Sequence, residues 1–240
     1  QRGAILYQSV PSPPQPPSAA TSHDQPQQQQ QTEHSDFALQ NQLSLQHDPQ
    51  CVDFSPDGSI LAVGCDQGVC MLMSFPSLAL RHTLKCSRFY PVFCCAFSAI
   101  GGLLATGDGD FSVKLWRTDT GTLVRTFNEH TSLVKSVSFS PDGRTVVSCA
   151  DDSTACVYDI NTGSALHKLY LPDRGTSVAF SPDGGLLAVG CGNGAAVLFS
   201  AVDNFAQISS LESHSNGGVS LSFSCRTESG VGGGMLLAIA

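Results

Sequence analysis

Charged residues are scarce in this sequence: Asp, Glu, Lys and Arg together make up 13% of its 240 residues. That scarcity argues against long helices with a solvated face and suits short strands in a loop-rich fold. Basic residues are scarcer still, with 12 Lys and Arg against 20 Asp and Glu, which disfavours nucleic acid as a direct ligand. No apolar run approaches the roughly 20 residues needed to span a bilayer. The opening QRGAILYQSV has too short an apolar core for a secretory signal.

Metal-binding and catalytic motifs are also missing. The ten cysteines include no C-x-x-C pair, and no histidines fall at zinc-finger spacing. No phosphate-binding loop, H-E-x-x-H or G-x-S-x-G motif occurs. We therefore predict no enzymatic activity, no cofactor and no metal. Cysteines such as Cys65, Cys94 and Cys191 lie in apolar stretches, which predicts buried reduced thiols and favours an intracellular location, cytoplasmic or nuclear.

The first 42 residues differ in composition from the rest of the chain. They contain the Pro-rich segment PSPPQPPS at 11–18 and the polar tract QPQQQQQ at 25–31. Such a segment cannot bury enough apolar surface to offset its loss of conformational entropy, so residues 1–42 are predicted to form a disordered tail. Its P-x-x-P spacings could bind a polyproline-II reader, but a solubilising tail is the simpler interpretation because no Arg or Lys closely flanks the Pro run.

From residue 43 onward the sequence repeats. Five phenylalanines each end an alternating stretch and precede a serine, with spacings of 43, 42, 41 and 43 residues: Phe54, Phe97, Phe139, Phe180 and Phe223. Three of them begin the turn sequence FSPDG, in which proline fixes φ and glycine takes a positive φ at little cost. A period near forty residues with several strands per unit is typical of a β-propeller.

The third repeat shows the expected unit most clearly. Its alternating and apolar segments predict four antiparallel strands, separated by SPDG, DDST and NTG turns. The predicted strands are 133–139, 144–150, 155–160 and 164–170. The fold class is therefore all-β, a propeller of four-stranded antiparallel blades. Its repeats span about 45–85, 86–127, 128–170, 171–212 and 213–240. The last is cut after its second strand, so we expect about four and a half blades, an incomplete ring and a chain that is a fragment of a longer propeller.

These repeats resemble the WD-repeat β-propeller family over about residues 43–240. The family usually has Trp nineteen residues after the marker phenylalanine, often followed by Asp; here only Trp116 keeps the Trp, and Tyr158 with Asp159 keeps the Asp. The resemblance implies a non-catalytic interaction scaffold or adaptor in a multi-subunit assembly, whose partners are other proteins. Two alternatives within the family are a substrate receptor of a ubiquitin ligase and a transcription corepressor or chromatin subunit. A third is a propeller attached to a catalytic domain that is not in this chain.

The resemblance also implies a structural hydrogen-bonded tetrad. In the third repeat, His130, Ser148 and Asp152 would link to Tyr158, which stands in place of Trp. Such a closed polar network would pin a turn to a strand inside the blade. Reading the His-Ser-Asp set as a catalytic triad is disfavoured, because Ser148 is expected mid-strand and no nucleophile elbow accompanies it.

The second repeat keeps only part of this set. Thr106, Asp110 and Trp116 remain, but Arg88 stands where the family has histidine, so the second network is predicted to be incomplete.

Partner-binding residues are expected in the loops that lead into the first strand of each blade. In the second repeat this loop contains Arg88, Phe89 and Tyr90, residue types that are enriched at interface hot spots. The alternative is that the two aromatic side chains pack between blades. In the fourth repeat the same loop offers Asp173 and Arg174, for which a solvated loop is the simpler interpretation.

Overall fold

The computed structural model describes residues 4–8, 38–43, 47–212, 218–225 and 235–239. The chain divides into two compact units, residues 1–46 and 47–240. All of the regular structure in the described residues is β-strand. Among those residues there is no helix of the length and apolarity that a bilayer crossing requires.

The first unit contains two strands, β1 (Ala4–Gln8) and β2 (Ala38–Leu43). They pair antiparallel, with Ala4 opposite Leu43. Two short parts of the predicted tail are therefore strands, whereas residues 9–37 lie outside the described residues. Disorder of that segment stays a prediction.

The second unit is built from four four-stranded antiparallel sheets and one two-stranded sheet. Blade 1 consists of β3 (Pro49–Phe54), β4 (Ile60–Cys65), β5 (Val69–Ser74) and β6 (Ala79–Lys85). Blade 2 consists of β7 (Val92–Phe97), β8 (Leu103–Asp108), β9 (Val113–Arg117) and β10 (Leu123–Phe127).

The two following blades repeat this order. Blade 3 consists of β11 (Val134–Phe139), β12 (Thr145–Ala150), β13 (Thr154–Asp159) and β14 (Ala165–Tyr170). Blade 4 consists of β15 (Gly175–Phe180), β16 (Leu186–Cys191), β17 (Ala195–Ser200) and β18 (Ala206–Glu212). The two-stranded sheet pairs β19 (Leu221–Cys225) with β20 (Met235–Ile239). The four predicted strands of the third repeat are confirmed to within one residue at each end.

The repeated FSPDG sequence forms the turn between the first two strands of a blade. In blade 3, Ser140 Oγ donates a hydrogen bond to Asp142 Oδ1 (2.6 Å) and accepts one from the Thr145 amide (3.0 Å). Gly143 has φ +66°, a conformation that glycine adopts without steric cost. One short sequence thus fixes both the turn and the start of the second strand.

Neighbouring blades are joined along their first strands. Asp53 Oδ2 on β3 accepts a hydrogen bond from the Phe97 amide on β7 (2.7 Å). Ser136 Oγ on β11 accepts one from the Val178 amide on β15 (3.2 Å). Because a first strand has no partner on its open edge, these side chains of the preceding blade satisfy backbone groups that would otherwise be unpaired.

The fourth strands also reach the next blade. His82 Nε2 on β6 lies 2.9 Å from the Asp119 carbonyl oxygen, and Arg125 Nε on β10 donates to the Ile160 carbonyl oxygen (2.9 Å). Blades 1 and 2 are therefore attached at both their first and their fourth strands, and the fourth strand of blade 2 is attached to blade 3.

Close approach between blades depends on small residues in the second strands. A Cβ atom on Gly64 would lie 2.9 Å from a Val92 methyl, and one on Gly107 would lie 2.5 Å from a Val134 methyl. Blade 3 has Cys149 at this position, and there the facing residue of blade 4 is Gly175 instead of valine. At this joint the glycine therefore belongs to the following blade instead of the preceding one.

The core lies between the sheets. Its three largest clusters join blades 1 and 2, blades 2 and 3, and blades 3 and 4. The nine cysteines from Cys51 to Cys191 are free thiols, buried or half-buried. Burial raises the pKa of Cys65 and of Cys191 to about 11, so these thiols are neutral at physiological pH.

Candidate functional site

A buried polar network in blade 3 brings together three of the four predicted tetrad residues. His130 Nδ1 lies 3.0 Å from Asp152 Oδ2, and His130 Nε2 lies 2.7 Å from Ser148 Oγ. Asp152 also accepts hydrogen bonds from the Thr131 amide (2.9 Å) and from the Thr154 hydroxyl (2.7 Å). The loop before β11, the turn after β12 and the start of β13 are thereby held to one another.

Tyr158 does not complete this network. Its hydroxyl is buried and has no hydrogen-bond partner in the described part of the chain. Its ring instead stacks on Phe127, with centroids 4.3 Å apart. No hydrogen bond of ordinary geometry joins Tyr158 to Ser148, because a phenol carries its polar atom at the tip of the ring, whereas indole carries its N–H at the side. Ser148 nevertheless lies close enough to lower the pKa of Tyr158, which burial raises on balance.

Burial and charge act on this network in a definite direction. Burial lowers the pKa of His130, although the Asp152 carboxylate acts against that shift. Burial acts to raise the pKa of Asp152, but the Thr131 amide, the Thr154 hydroxyl and His130 outweigh it and leave that pKa lowered. The network is therefore a neutral imidazole held by an ionised carboxylate.

The distances among His130, Ser148 and Asp152 match those of a catalytic triad. The serine and the histidine are, however, too deeply buried for a substrate to reach them. Ser148 lies inside β12 with no exposed surface, and His130 is 5% exposed. A nucleophile must reach its substrate, and no substrate atom could approach Ser148 without opening the sheet. The arrangement fits a structural network that holds the loop before β11 to β12 and to the turn after it.

The partial set in blade 2 is brought together only in part. Trp116 Nε1 donates to Thr106 Oγ1 (3.0 Å), as the resemblance implies. Asp110 is exposed, and its backbone amide donates to the neighbouring Asp108 carboxylate (3.0 Å). Asp110 therefore does not contribute its carboxylate to the network in the way that Asp152 does.

A second polar cluster in blade 2 was not expected from the sequence. Asp108 is fully buried, and its carboxylate accepts a hydrogen bond from Lys114 Nζ (2.6 Å). Lys114 Nζ also donates to Ser112 Oγ, which in turn donates to Asp108 Oδ1 (3.2 Å). Ser112 occupies the position in its repeat that Thr154 occupies in blade 3, where it contacts His130. Lys114 thus takes over part of the role of the histidine that Arg88 replaces.

The loop before β7 presents the first group of predicted partner-binding residues. Phe89 is 74% exposed and Tyr90 is 51% exposed, and Arg88 is exposed with its guanidinium 5.1 Å from the Phe89 ring centroid. The alternative that both rings pack between blades is therefore wrong for Phe89. Tyr90 lies with its Cβ against Gly109 and leaves half of its surface in solvent.

This loop is held in one conformation by the chain around it. Ser87 Oγ accepts hydrogen bonds from the amides of Phe89 (3.3 Å) and Tyr90 (3.1 Å). The amides of Cys86 and Ser87 donate to the Gly68 carbonyl oxygen of blade 1 (2.8 and 2.9 Å). The exposed cation and rings are thus presented on an anchored backbone.

The second predicted pair lies in the equivalent loop of blade 4. Arg174 is exposed and Asp173 is half-buried, and the Arg174 amide donates to Asp173 Oδ1 (2.8 Å). Arg174 lines a shallow depression together with Lys135 and three neighbours, Phe93, Asp151 and Thr176.

Lys135 connects the walls of that depression. Its Nζ lies 4.5 Å from the Phe93 ring centroid and 3.7 Å from Asp151 Oδ2. Lys135 and Phe93 are not among the predicted binding residues, because both lie inside strands. Their place one residue after a strand begins, next to the loop end, is the signal that could have found them.

Comparison with known proteins agrees with this architecture. The family model described as "WD domain, G-beta repeat" matches residues 40–72, 79–117, 121–159 and 171–200, which is more than half of the chain. The chain belongs to the WD-repeat family.

Individual WD-repeat relatives match over shorter stretches. "Nuclear distribution protein PAC1" of Arthroderma benhamiae is 35% identical over 123 residues, covering 47% of this chain and 27% of the relative. A "Guanine nucleotide-binding protein subunit beta" of Oryza sativa subsp. indica is 36% identical over 107 residues, covering 40% and 28%. "Pre-mRNA-processing factor 19 homolog 2" of Arabidopsis thaliana is 26% identical over 179 residues, covering 72% and 34%.

The chain therefore spans about a quarter to a third of the length of these WD-repeat relatives. The names of these relatives refer to different cellular processes, and what they share with this chain is the repeat. WD-repeat proteins generally bind other proteins and act as non-catalytic scaffolds, which is the coarse function that family membership supports.

Proposed function

We propose that this chain is a non-catalytic scaffold that binds a partner protein through the loops leading into the first strands of blades 2 and 4. The observation that carries the proposal is the loop of residues 86–91, where an arginine and two aromatic side chains stand exposed on a backbone fixed by hydrogen bonds. Arginine and tyrosine are enriched at hot spots, and a preorganised loop loses little entropy on binding.

The depression beside Arg174 extends the same surface. Loops before the first strands lie at the same end of the strands in every four-stranded antiparallel blade, so the loops of blades 2 and 4 lie at the same end of their blades. Two cations, Lys135 and Arg174, together with the Phe93 ring, favour a partner segment that carries a carboxylate beside an apolar group.

The burial of the cysteines as thiols supports an intracellular location, cytoplasmic or nuclear. No observation on the described residues favours the ubiquitin-ligase or the corepressor alternative over a general adaptor role.

A comparative pull-down tests the proposal. The 240-residue chain with an affinity tag and its Arg88→Ala/Tyr90→Ala variant would be compared by quantitative mass spectrometry of the captured proteins. Truncating two hot-spot residues at about 2 kcal/mol each would reduce capture of the true partner well beyond tenfold. Both side chains are exposed, so we expect the melting temperature to stay unchanged.

The control is Arg144→Ala/Val202→Ala, which removes an exposed arginine and a valine that is 82% exposed, both at the opposite end of the strands. This control should keep every partner that the native chain captures. Loss of the same proteins from both variants, or no loss from Arg88→Ala/Tyr90→Ala, would refute the proposed surface.

A further inference from the structure

Three of the four turns between first and second strands share one hydrogen-bond pattern. The serine hydroxyl donates to the aspartate two residues later, at 2.6 Å in Ser55–Asp57, 2.6 Å in Ser140–Asp142 and 2.5 Å in Ser181–Asp183. In each turn the same hydroxyl accepts a hydrogen bond from the backbone amide of the residue that begins the second strand. This arrangement satisfies the serine hydroxyl both as a donor and as an acceptor.

Blade 2 breaks the pattern. Its turn reads Ser98-Ala99-Ile100-Gly101-Gly102, with isoleucine in the place of the aspartate. Ser98 is fully buried, and its hydroxyl has no hydrogen-bond partner in the described part of the chain. Ile100 touches Gly143 with the tip of its side chain, yet it remains 69% exposed. An unpaired buried hydroxyl and an exposed aliphatic side chain are both unfavourable for an isolated fold.

Blade 2 lacks the turn pattern of the other blades, and nothing in the turn compensates for the lost hydrogen bond. Such a departure from the local pattern indicates a functional position. Ile100 forms one wall of a notch between blades 1 and 2, a cavity of about 310 Å³. Its other apolar walls are Pro56, Ile60 and Phe97. The Asp57 carboxylate stands at its edge and is held by Ser55 and Ser59.

The equivalent notch between blades 3 and 4 provides an internal comparison. It is formed by Pro141, Thr145 and Phe180, with Asp183 in the place of Ile100. Two carboxylates, those of Asp142 and Asp183, line that notch. The notch between blades 1 and 2 therefore carries one carboxylate where its counterpart carries two, and it has an aliphatic side chain in the place of the second.

The surroundings of the notch are acidic. Seven aspartates and four arginines lie in the turns at this end of the blades or in the strand ends next to them: Asp53, Asp57, Asp119, Asp142, Asp159, Asp183 and Asp203 against Arg81, Arg117, Arg125 and Arg144. Charge complementarity therefore favours a basic occupant.

We propose that the notch between blades 1 and 2 binds a bulky aliphatic side chain of a partner protein, presented by a segment in which Lys or Arg flanks that residue. This site lies at the opposite end of the strands from the loops that contain Arg88 and Arg174. It stands independently of the function proposed for those loops.

The test uses three capped synthetic pentapeptides, Gly-Arg-Leu-Arg-Gly, Gly-Glu-Leu-Glu-Gly and Gly-Arg-Ser-Arg-Gly. Binding to the 240-residue chain is measured by NMR of labelled isoleucine methyl groups. The Arg-Leu-Arg peptide should shift the Ile60 and Ile100 signals in a saturable way, while the Ile208 signal stays in place. The acidic peptide and the serine peptide should leave Ile60 and Ile100 unshifted.

Two substitutions separate binding from folding. Ile100→Asp restores the turn sequence of the other blades and gives Ser98 a partner, so we expect an unchanged or higher melting temperature together with peptide binding weakened about tenfold or more. Ile100→Ser removes the aliphatic wall without adding charge and should also weaken binding. The control Ile208→Asp alters an isoleucine that is 56% exposed on β18 and should bind the peptide normally.

Several outcomes would overturn the proposal. One is equal binding of the acidic peptide, and another is peptide binding that persists in Ile100→Asp or is lost in Ile208→Asp. A lower melting temperature for Ile100→Asp would show that Ile100 is a packing residue. Ile100 shifts that depend on protein concentration without any peptide would identify a second copy of the chain as the occupant.

Discussion

The buried pair of Asp108 and Lys114 permits a sharp test of how blade 2 is stabilised. Asp108 is fully buried and the Lys114 side chain is 13% exposed, with 2.6 Å between Nζ and Oδ2. Removing one partner of a buried ion pair leaves an uncompensated charge, which destabilises by about 3–5 kcal/mol. We expect Lys114→Met to show that full effect, because Asp108 cannot reach water.

The partner substitution should be milder. In Asp108→Ala the ammonium loses its carboxylate, but a flexible lysine that is already partly exposed can turn its charge toward solvent. The double variant Asp108→Ala/Lys114→Met places an apolar pair there, as blades 1 and 3 do with Cys65 and Met71 and with Ala150 and Cys156. We expect the double variant to lie within about 1 kcal/mol of the native chain, because replacing both charges by apolar groups is often neutral.

Urea unfolding followed by circular dichroism would give the three free energies of unfolding, and thermal melts would give a parallel measure. At about 2–4 °C per kcal/mol for a domain of this size, Lys114→Met should melt roughly 4 °C or more below the double variant. A double variant as unstable as the sum of the single changes would refute the reasoning. So would a Lys114→Met variant that is no less stable than the double variant.

Two further substitutions test the network of blade 3. Tyr158→Phe removes a buried hydroxyl without a partner in the described residues and keeps the ring stacked on Phe127. The free energy of unfolding in urea should therefore stay unchanged or rise by up to about 1 kcal/mol. A clear loss of stability would show that the hydroxyl belongs to the network. Because the pKa of His130 is lowered from 6.5, the unfolded chain binds more protons just below that pH, and stability should fall as the pH drops from 7 to 5. His130→Gln should be less stable at pH 7 but lose less over that interval, and equal losses in both proteins would contradict the assignment.

The fold could be predicted from the sequence because the same local signals recur in register. Each FSPDG sequence encodes a turn through the chemistry of its own five residues, and the strands of the third repeat were predicted to within one residue. The contacts among His130, Ser148 and Asp152 follow from their fixed places in the repeat.

Compensating changes at different places in the repeat could not be predicted in this way. Lys114 contributes to a polar cluster in blade 2 from the third strand, whereas His130 acts in blade 3 from the preceding loop. The repeat period identifies equivalent positions in different blades. It does not show that a side chain at a non-equivalent position, such as Lys114, occupies the space that His130 fills in blade 3. The failed link of Tyr158 has a related cause, since it depends on where a ring carries its polar atom.

The glycine and cysteine at the blade joints also bear on how the repeats could be rearranged. Three second strands present glycine to a valine of the next blade, at Gly64, Gly107 and Gly190. At the joint between blades 3 and 4 the larger residue, Cys149, lies on the preceding blade and the glycine, Gly175, lies on the following one. Shuffling blades in an engineered protein would set a thiol against a valine at one junction and leave a void between two glycines at another. Steric matching of this kind makes blade 4 the preferred successor of blade 3, whereas the joints that share glycine and valine do not discriminate among one another, so shape restricts the order of the repeats at one joint and chain connectivity sets it at the others.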